Sequence, residues 1–306
     1  MNTTPSFTHT LRQRWQAADS MLCVGLDPDP ARIPAHLGTG PEAIDRFCRD
    51  IIAATADTVC AFKPQIAYFA AQGAEDVLAG LIAHIHAEHP GIPVILDAKR
   101  GDIGSTARQY GVEAFDRFKA DALTLSPFMG FDSIEPYFEW AGRGLILLCR
   151  TSNPGGNDLQ ALSVLPAGNA TETPPGAPSP RQSASDTASG AQPEKLYEHL
   201  ARLAAGPWNV NGELGLVVGA TFPDELARVR TLAPRLPLLV PGVGAQGGDV
   251  NATVRAGLDA DGYGLVINSS RAILYAGKGT DFADQARKAA VATRDAIRAA
   301  RDAARA

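Results

Sequence analysis

The chain has 306 residues, 45% of them hydrophobic, enough for one large domain with a sizeable core or for two domains of ordinary size. Its formal net charge of −5 argues against a general surface for nucleic acid, although a local anion site needs only a few backbone N–H groups and one arginine. No apolar run approaches the ~20 residues of a membrane span, and residues 1–15 lack the apolar core of a signal peptide, so we expect a cytoplasmic protein that binds neither membranes nor nucleic acid.

Short apolar runs alternate with longer amphipathic stretches along the chain, a pattern typical of parallel strands buried on both faces and connected by helices. In chain order the predicted strands are Met21–Leu26, Val59–Lys63, Pro93–Lys99, Asp121–Leu125, Gly144–Cys149, Leu214–Gly219, Pro237–Pro241 and Gly264–Asn268. The predicted helices are Pro41–Asp57, Tyr68–Glu88, Ser105–Phe118, Asp132–Gly142, Glu194–Ala205, Pro223–Ala233, Gly248–Ala256 and Asp281–Arg305. Eight such units predict a (β/α)8 TIM barrel, a single α/β domain over residues 1–306, with an open doubly wound sheet as the alternative.

Residues 163–192 interrupt this alternation. They are rich in Pro, Gly, Ala, Ser and Thr, contain no aromatic residue, and have Val164 and Leu165 as their only large aliphatic residues. Such a segment buries too little apolar surface to offset the entropy lost on ordering. We therefore expect a flexible insertion loop after the fifth strand, on the face of the barrel where active sites lie, either as a lid or as a tolerated insertion without function.

Charged residues occur at the ends of the first three predicted strands, where barrel chemistry takes place. Asp27 follows strand one, and Lys63 ends strand two within an apolar run, a costly position for an unpaired charge. On strand three, Asp97 and Lys99 are two residues apart, so an extended strand points both to the same side, and Asp102 follows in the loop. Two carboxylates flanking an ammonium keep it protonated, and a protonated lysine held there can deliver a proton to carbon. The alternative is a surface ion-pair cluster, which contributes little energy.

The loops after predicted strands seven and eight have the composition of a phosphate site. Residues 241–248 have the sequence PGVGAQGG, and residues 268–271 have the sequence NSSR. Glycines let the backbone approach a phosphate, helix-start N–H groups point at it, and Arg271 adds a charge-assisted fork. After strand five, residues 150–156 supply small hydroxyl and amide groups that suit a base but are also ordinary loop residues. The sequence therefore predicts a phosphorylated small-molecule ligand that faces the Asp–Lys–Asp array.

The sequence contains neither a pattern of metal ligands nor a Ser–His–Asp arrangement. Its four cysteines have no CxxC spacing and are expected to be buried, reduced thiols. Its six histidines lie away from the predicted strand ends. We therefore expect no metal site.

At these residues the chain resembles orotidine 5'-phosphate decarboxylases, in particular the bacterial form with the longer chain. The motif DAKRGDIGST at residues 97–106 carries the resemblance, which extends from about Met21 to Tyr275 and includes the loops after strands one, two, five, seven and eight. It implies decarboxylation of orotidine 5'-phosphate to UMP and CO2 in de novo pyrimidine biosynthesis, without a cofactor. It also implies a homodimer with shared active sites.

The resemblance implies a role for each residue of the central motif. Lys99 would donate a proton to C6 of the pyrimidine, and Asp97 would lie against the departing carboxylate. Asp102, with Thr106 beside it, would act in the neighbouring subunit's site, where it would touch the ribose and hold the lysine array.

The other matched residues would hold the nucleotide. Asp27 and Lys63 would bind ribose hydroxyls and extend the charge network, and Ser152 would contact the pyrimidine. The phosphate would be bound by Gln246, Gly247, Ser270 and Arg271.

Two alternatives use the same barrel. A Mg²⁺-dependent sugar-phosphate decarboxylase shares the Asp-x-Lys-x-x-Asp pattern but has a metal-binding carboxylate at strand two, where this chain has Lys63. A non-catalytic sensor of a phosphorylated ligand would keep Gly247 and Arg271 but would not need the array at residues 97–102.

Overall fold

The strands of the computed structural model, which describes residues 6–165, 192–243 and 248–305, follow the apolar runs of the sequence. They are β1 (Leu22–Leu26), β2 (Ala61–Pro64), β3 (Ile95–Arg100), β4 (Ala122–Leu125), β5 (Gly144–Arg150), β6 (Ser163–Val164), β7 (Glu194–Lys195), β8 (Leu214–Val218), β9 (Leu238–Pro241) and β10 (Leu265–Ser269). Each of the eight predicted strands overlaps one of these.

Eight strands form one parallel sheet in the order β2-β1-β10-β9-β8-β5-β4-β3. The two ends of this sheet meet through parallel bridges from Phe62 to Val94 and from Gln65 to Asp97, so that the sheet closes on itself. The predicted (β/α)8 barrel is therefore confirmed, and the open doubly wound alternative is wrong. Closure places the carboxyl ends of all eight strands around one mouth.

The helices pack around the sheet. They are α1 (Phe7–Ala18), α2 (Pro41–Thr55), α3 (Ile66–Ala70), α4 (Glu75–Glu88), α5 (Gly104–Gly111), α6 (Leu196–Ala205), α7 (Pro223–Leu232), α8 (Val250–Gly257), α9 (Arg271–Leu274) and α10 (Phe282–Arg305). A π-helical turn over Val112–Arg117 extends α5. Among the described residues, no helix is both long and apolar enough to cross a bilayer. All four cysteines are buried and unpaired, as predicted.

Two predicted helices differ from the observed ones. The helix predicted over Tyr68–Glu88 is divided into α3 and α4 by a turn in which Gly73 adopts a φ of +60°. The helix predicted over Asp132–Gly142 is replaced by two 3-10 segments, Phe131–Ser133 and Glu135–Glu139. Pro136 explains the second difference, because it donates no backbone hydrogen bond and clashes with the preceding turn of an α-helix.

Helix α1 precedes the barrel and is not among the predicted elements. Its buried residues Phe7, Leu11 and Trp15 recur every four positions, which is helical spacing. Ser6 caps the helix, and its hydroxyl also donates to Glu213, which immediately precedes β8. The helix therefore packs at the end of the barrel where the strands begin, opposite the mouth.

The base of the insertion is an antiparallel ladder. Ser163 pairs with Lys195 and Val164 pairs with Glu194, so β6 and β7 form a separate two-stranded sheet. Of the predicted loop over 163–192, residues 166–191 lie outside the described residues. Residues 163–164 are strand rather than loop, and the helix predicted from Glu194 begins at Leu196.

Candidate active site

The ends of β2 and β3 bring two ammonium groups onto one carboxylate. Lys63 Nζ donates to Asp97 Oδ2 at 2.8 Å, and Lys99 Nζ donates to Asp97 Oδ1 at 2.6 Å. Lys63 and Asp97 are almost wholly buried, whereas 47% of the Lys99 side chain is exposed. Lys99 is therefore the cation of this cluster that a ligand in the mouth can reach.

The cluster fixes the charge of its buried members. Burial alone would raise the pKa of Asp97, but the ammonium groups of Lys63 and Lys99 hold that pKa well below its usual range. Burial alone would lower the pKa of Lys63, but the Asp97 and Asp27 carboxylates raise it above its usual range. The pair is therefore ionised at neutral pH.

Asp97 and Lys99 meet for a different reason from the one that the sequence suggested. The regular β3–β4 register shifts between Leu96 and Arg100, so the residues between them form a bulge. Lys99 lies in this bulge with a φ of +48°, in the left-handed region. The two side chains contact each other as predicted, but the bulge brings them together rather than simple alternation along an extended strand.

Asp102 does not join the cluster of its own chain. It is half-buried, and its Oδ1 accepts the Ile103 N–H at 2.8 Å within its own loop. Thr106 is exposed in the first turn of α5. The predicted arrangement of two carboxylates around the Lys99 ammonium is therefore wrong within one chain, where two ammonium groups surround one carboxylate.

Asp27 lies at the end of β1 with unused hydrogen-bonding capacity. Its Oδ1 is buried and has no hydrogen-bond partner among the described residues. The Tyr275 hydroxyl donates to the Asp27 carbonyl at 2.8 Å and accepts the Asp29 N–H at 2.7 Å, which fixes this turn to α9. A fixed carboxylate oxygen with a free lone pair suits a ligand hydroxyl.

The mouth is narrow between β1 and β10. A Cβ at Gly25 would lie 1.9 Å from the Ser270 hydroxyl and 3.0 Å from Asn268 Oδ1. Only glycine therefore permits this approach. Asn268 donates to the Ser270 hydroxyl at 3.2 Å, and its own Oδ1 is buried without a partner in the described part of the chain.

Of the four residues of the predicted phosphate site, the structure describes Ser270 and Arg271. Ser270 precedes α9 at the end of β10, and Arg271 is exposed with no ion pair to any residue in the described ranges. Val243 and Gly248 form a bridge on either side of the preceding loop. Gln246 and Gly247 lie outside the described residues.

Ser152 is held at the mouth by a close approach of two strands. A Cβ at Gly219, just after β8, would lie 2.7 Å from the Ser152 Cα. The Thr221 hydroxyl donates to the Ser152 carbonyl at 3.4 Å. The absence of a side chain at Gly219 therefore lets the β5 loop lie against the end of β8.

Three further residues complete the site, and the sequence analysis assigned no role to them: Thr124, Asn268 and Tyr275. Thr124 donates to Asp97, Asn268 contacts Ser270, and Tyr275 holds the Asp27 turn. A β-branched residue in a strand carries no signal that distinguishes a hydrogen-bonding threonine from a core residue. Within the described ranges, no group of three or more His, Cys, Asp or Glu side chains is arranged to hold a metal ion.

The barrel is closed and parallel, it has a charged cluster at its mouth, and the loops after β9 and β10 have sequences that suit a phosphate. These features define the class of the protein: it is a TIM-barrel enzyme that acts on phosphorylated small molecules. The chain belongs to the orotidine 5'-phosphate decarboxylase / HUMPS family, whose model matches residues 20–173.

Relatives and solved structures agree with this assignment. An orotidine 5'-phosphate decarboxylase of Azoarcus sp. is 63% identical over 96% of this chain and 99% of its own length. That of Aromatoleum aromaticum is 61% identical over 95% of this chain and 98% of its own length. The structure of Leishmania donovani OMP decarboxylase has 39% sequence identity and a TM-score of 0.77, covering 97% of this chain and 99% of that one.

Proposed function

We propose that the chain converts orotidine 5'-phosphate to UMP and CO2, without a cofactor, as a step of de novo pyrimidine biosynthesis. Family membership supports the reaction. The observation that carries the chemistry is the Lys63–Asp97–Lys99 cluster, in which one half-exposed ammonium is fixed at the mouth by a buried carboxylate. This arrangement supports Lys99 as the proton donor to a pyrimidine bound in the mouth.

The reaction requires stabilisation of a carbanion. When the bond from C6 to the carboxylate breaks, CO2 leaves and the electron pair stays on C6, where the ring delocalises it poorly. A preorganised cation aimed at the developing charge lowers this barrier most effectively. Lys99 supplies that cation, transfers its proton to C6 to give UMP, and regains a proton from solvent.

Asp97 has two roles in this proposal. Its carboxylate orients the Lys99 ammonium through the 2.6 Å hydrogen bond. Its depressed pKa keeps it charged beside the substrate carboxylate, whose negative charge it repels until CO2 leaves. We treat this repulsion as secondary to carbanion stabilisation.

The rest of the mouth would bind the nucleotide. Asp27 and Lys63 would bind ribose hydroxyls. The Asp27 Oδ1, which has no partner among the described residues, can accept a hydrogen bond from one of these hydroxyls. Contacts with the base and phosphate would come from Ser152, Gln246, Gly247, Ser270 and Arg271. The free energy gained by binding the phosphate, which is remote from C6, is then available to stabilise the transition state.

We further propose a cytoplasmic homodimer with shared sites. Asp102 is not bound to the cluster of its own chain, and it precedes a segment in which Ile103 and Thr106 are exposed. Exposure of an aliphatic residue beside a carboxylate whose hydrogen bond stays within its own loop supports contact with a second copy, whose site Asp102 and Thr106 would complete. The four unpaired buried cysteines are typical of a reducing compartment.

The test is the loss of the orotate absorbance when purified protein is mixed with orotidine 5'-phosphate and a chelator. We expect turnover by the wild type and at least a ~100-fold loss with Lys99→Ala, because the proton donor is gone. Lys119→Ala is a matched control, since Lys119 is an exposed lysine that also has a positive φ, of 57°, and it precedes β4 at the opposite end of the barrel.

Each contrary result has a separate meaning. Near-normal turnover by Lys99→Ala would overturn the proton-donor role. Turnover that the chelator abolishes would favour the Mg²⁺-dependent sugar-phosphate decarboxylase, although the Lys63 ammonium at strand two would repel a metal. Tight UMP binding without turnover would favour the sensor.

A further inference from the structure

A single side chain from the neighbouring strand stabilises the bulge in β3. The regular β3–β4 pairs end at Leu96 and resume at Arg100, so three residues of β3, Asp97–Lys99, face only Thr124 of β4. The ladder therefore leaves backbone N–H groups of the bulge without strand partners. Buried N–H groups in this position need another acceptor.

The Thr124 hydroxyl is that acceptor. It accepts the N–H groups of Ala98 and Lys99, each at 3.0 Å, and it donates to Asp97 Oδ1 at 3.0 Å. A hydroxyl has one proton and two lone pairs, and all three are used here. With both lone pairs occupied by N–H donors, the Thr124 proton is directed to the carboxylate.

This hydroxyl supports a backbone conformation that is costly by itself. Lys99 has a φ of +48°, in the left-handed region that a residue with a side chain rarely adopts unless its surroundings impose it. The hydrogen bond from the Lys99 N–H to Thr124 fixes the start of the side chain. The ammonium at its other end contacts Asp97 Oδ1, the same oxygen that Thr124 contacts.

We propose that Thr124 is a positioning residue for the decarboxylation: its hydroxyl holds the β3 bulge in the shape that aims the Lys99 ammonium into the mouth. It does not touch the substrate in this proposal and acts through Lys99 and Asp97. The proposal rests on the proposed function, in which Lys99 is the proton donor.

The competing explanation is that Thr124 only fills space, since it is 1% exposed within the barrel. Valine has nearly the shape of threonine but no hydroxyl, so a space-filling role predicts that Thr124→Val is fully active. Serine keeps the hydroxyl but loses the methyl group, so a positioning role predicts that Thr124→Ser keeps most of the activity.

The experiment compares these two variants with Thr55→Val. Thr55 is also buried, and its hydroxyl donates to the Ile51 carbonyl at 2.7 Å within α2, away from the mouth. Steady-state kinetics with orotidine 5'-phosphate give kcat and KM, and urea denaturation gives stability. We expect Thr124→Val to lower kcat about 10- to 100-fold with little change in KM, the size of effect that a misplaced catalytic group causes. Thr124→Ser and Thr55→Val should stay within about threefold of the wild-type kcat.

Wild-type kcat in Thr124→Val would overturn the proposal, as would a loss that Thr124→Ser shares in full. A crystal structure of Thr124→Val provides a readout that does not depend on activity. It should show Lys99 with a changed φ or with Nζ no longer hydrogen-bonded to Asp97, and an unaltered bulge would overturn the proposal. If the wild type fails to turn over orotidine 5'-phosphate while the bulge collapses in the variant, the proposed function fails and the positioning of the ammonium by Thr124 stands.

Discussion

Asp97 accepts hydrogen bonds from two ammonium groups and a hydroxyl while it is 7% exposed. Without those partners a carboxylate at this depth would bind a proton rather than keep its charge. Lys63 depends on Asp97 in the same way, because the only hydrogen bond of its ammonium group among the described residues goes to that carboxylate. The two charges are therefore coupled, and removing one leaves the other buried without compensation.

Replacing Asp97 with asparagine should therefore destabilise the protein in a pH-dependent way. At neutral pH we expect a loss of about 3–5 kcal/mol, the usual result of breaking a buried ion pair. The pKa of Asp97 is depressed in the folded state, so its stabilisation is present above the unfolded value of about 3.9 and is lost as the pH falls towards the folded value. The pKa of Lys63 is raised, so its stabilisation is present below about pH 10 and is lost above it.

Urea denaturation of the wild type and Asp97→Asn between pH 3 and 9 measures this. The difference in the free energy of unfolding should be largest between about pH 5 and 9 and should shrink below about pH 4. A difference that is constant down to pH 3 would show that the carboxylate is not held in its charged form by the two lysines.

A second buried cation is stabilised by backbone carbonyls. Arg230 on α7 is 8% exposed, and its guanidinium donates only to backbone carbonyls among the described residues. These carbonyls belong to Ala233, Pro234, Leu236, Gly257 and Gly264. Burial lowers the pKa of Arg230 to about 10. The residue joins α7, the end of α8 and the segments before β9 and β10.

Arg230→Met should lower the free energy of unfolding by about 2–5 kcal/mol, because several buried carbonyls lose their donor at once. Arg230→Lys should restore little of this, since an ammonium cannot reproduce the planar fork of donors. Arg228→Met is the matched control: it lies two residues earlier on the same helix, is half-exposed, and pairs with Glu198 on the surface. It should cost less than about 1 kcal/mol in the same urea titration, and an equal loss at both positions would contradict this account.

At the scale of elements, the sequence predicts the strands whose positions depend on the burial of apolar residues. The barrel strands are buried on both faces, so their apolar runs mark them clearly; all five residues of β1 and of β8 are buried. The bulge in β3 could not be predicted, because it depends on how β3 registers against β4 and on a hydroxyl from that neighbour. Helix α1 could be predicted from the spacing of Phe7, Leu11 and Trp15 after Ser6, but the polar residues between these three make the pattern hard to recognise.

The ladder of β6 and β7 explains how the insertion is attached. Directly paired residues of antiparallel strands lie about 4.5–5.5 Å apart, so Val164 and Glu194 are close enough for a two-residue turn to join them. Leu165 is the one large aliphatic residue in the sequence between them, so that segment can contribute little to a core.

A variant in which Asn-Gly replaces residues 165–193 should therefore fold with nearly unchanged stability. Asn-Gly favours the type I′ turn that matches the twist of a hairpin. We expect its thermal midpoint to stay within about 2 °C of the wild type, which corresponds to about 1 kcal/mol for a chain of this size. Scanning calorimetry measures this, and a loss of cooperative unfolding would show that the segment contributes to the core. A matched variant with Pro-Pro at the same two positions cannot form this turn and should be less stable.

At the scale of the whole molecule, the site exists only because the sheet closes. Lys63 lies on β2 and Asp97 on β3, the two strands at the ends of the sheet order, and bridges between those strands complete the barrel. The rule that barrel loops carry the chemistry was sufficient to select the residues at strand ends from the sequence. It could not show which charge contacts which, because that depends on strand register and, for Asp102, on a surface where a second copy is proposed to bind.

Mixed dimers test whether Asp102 acts in the site of a second copy. Lys99→Ala and Asp102→Asn chains with different affinity tags are co-expressed, and the species that carries both tags is purified. If Asp102 completes the neighbouring site, one site of each mixed dimer has both native residues, and we expect about half of the wild-type activity although each variant alone is nearly inactive. The control pairs Lys99→Ala with Asp97→Asn. These residues contact each other within one chain, so every site of that dimer keeps a defect and no activity should return. Recovery in neither pair would place Asp102 in its own chain's site, and sedimentation as a monomer would contradict the shared site altogether.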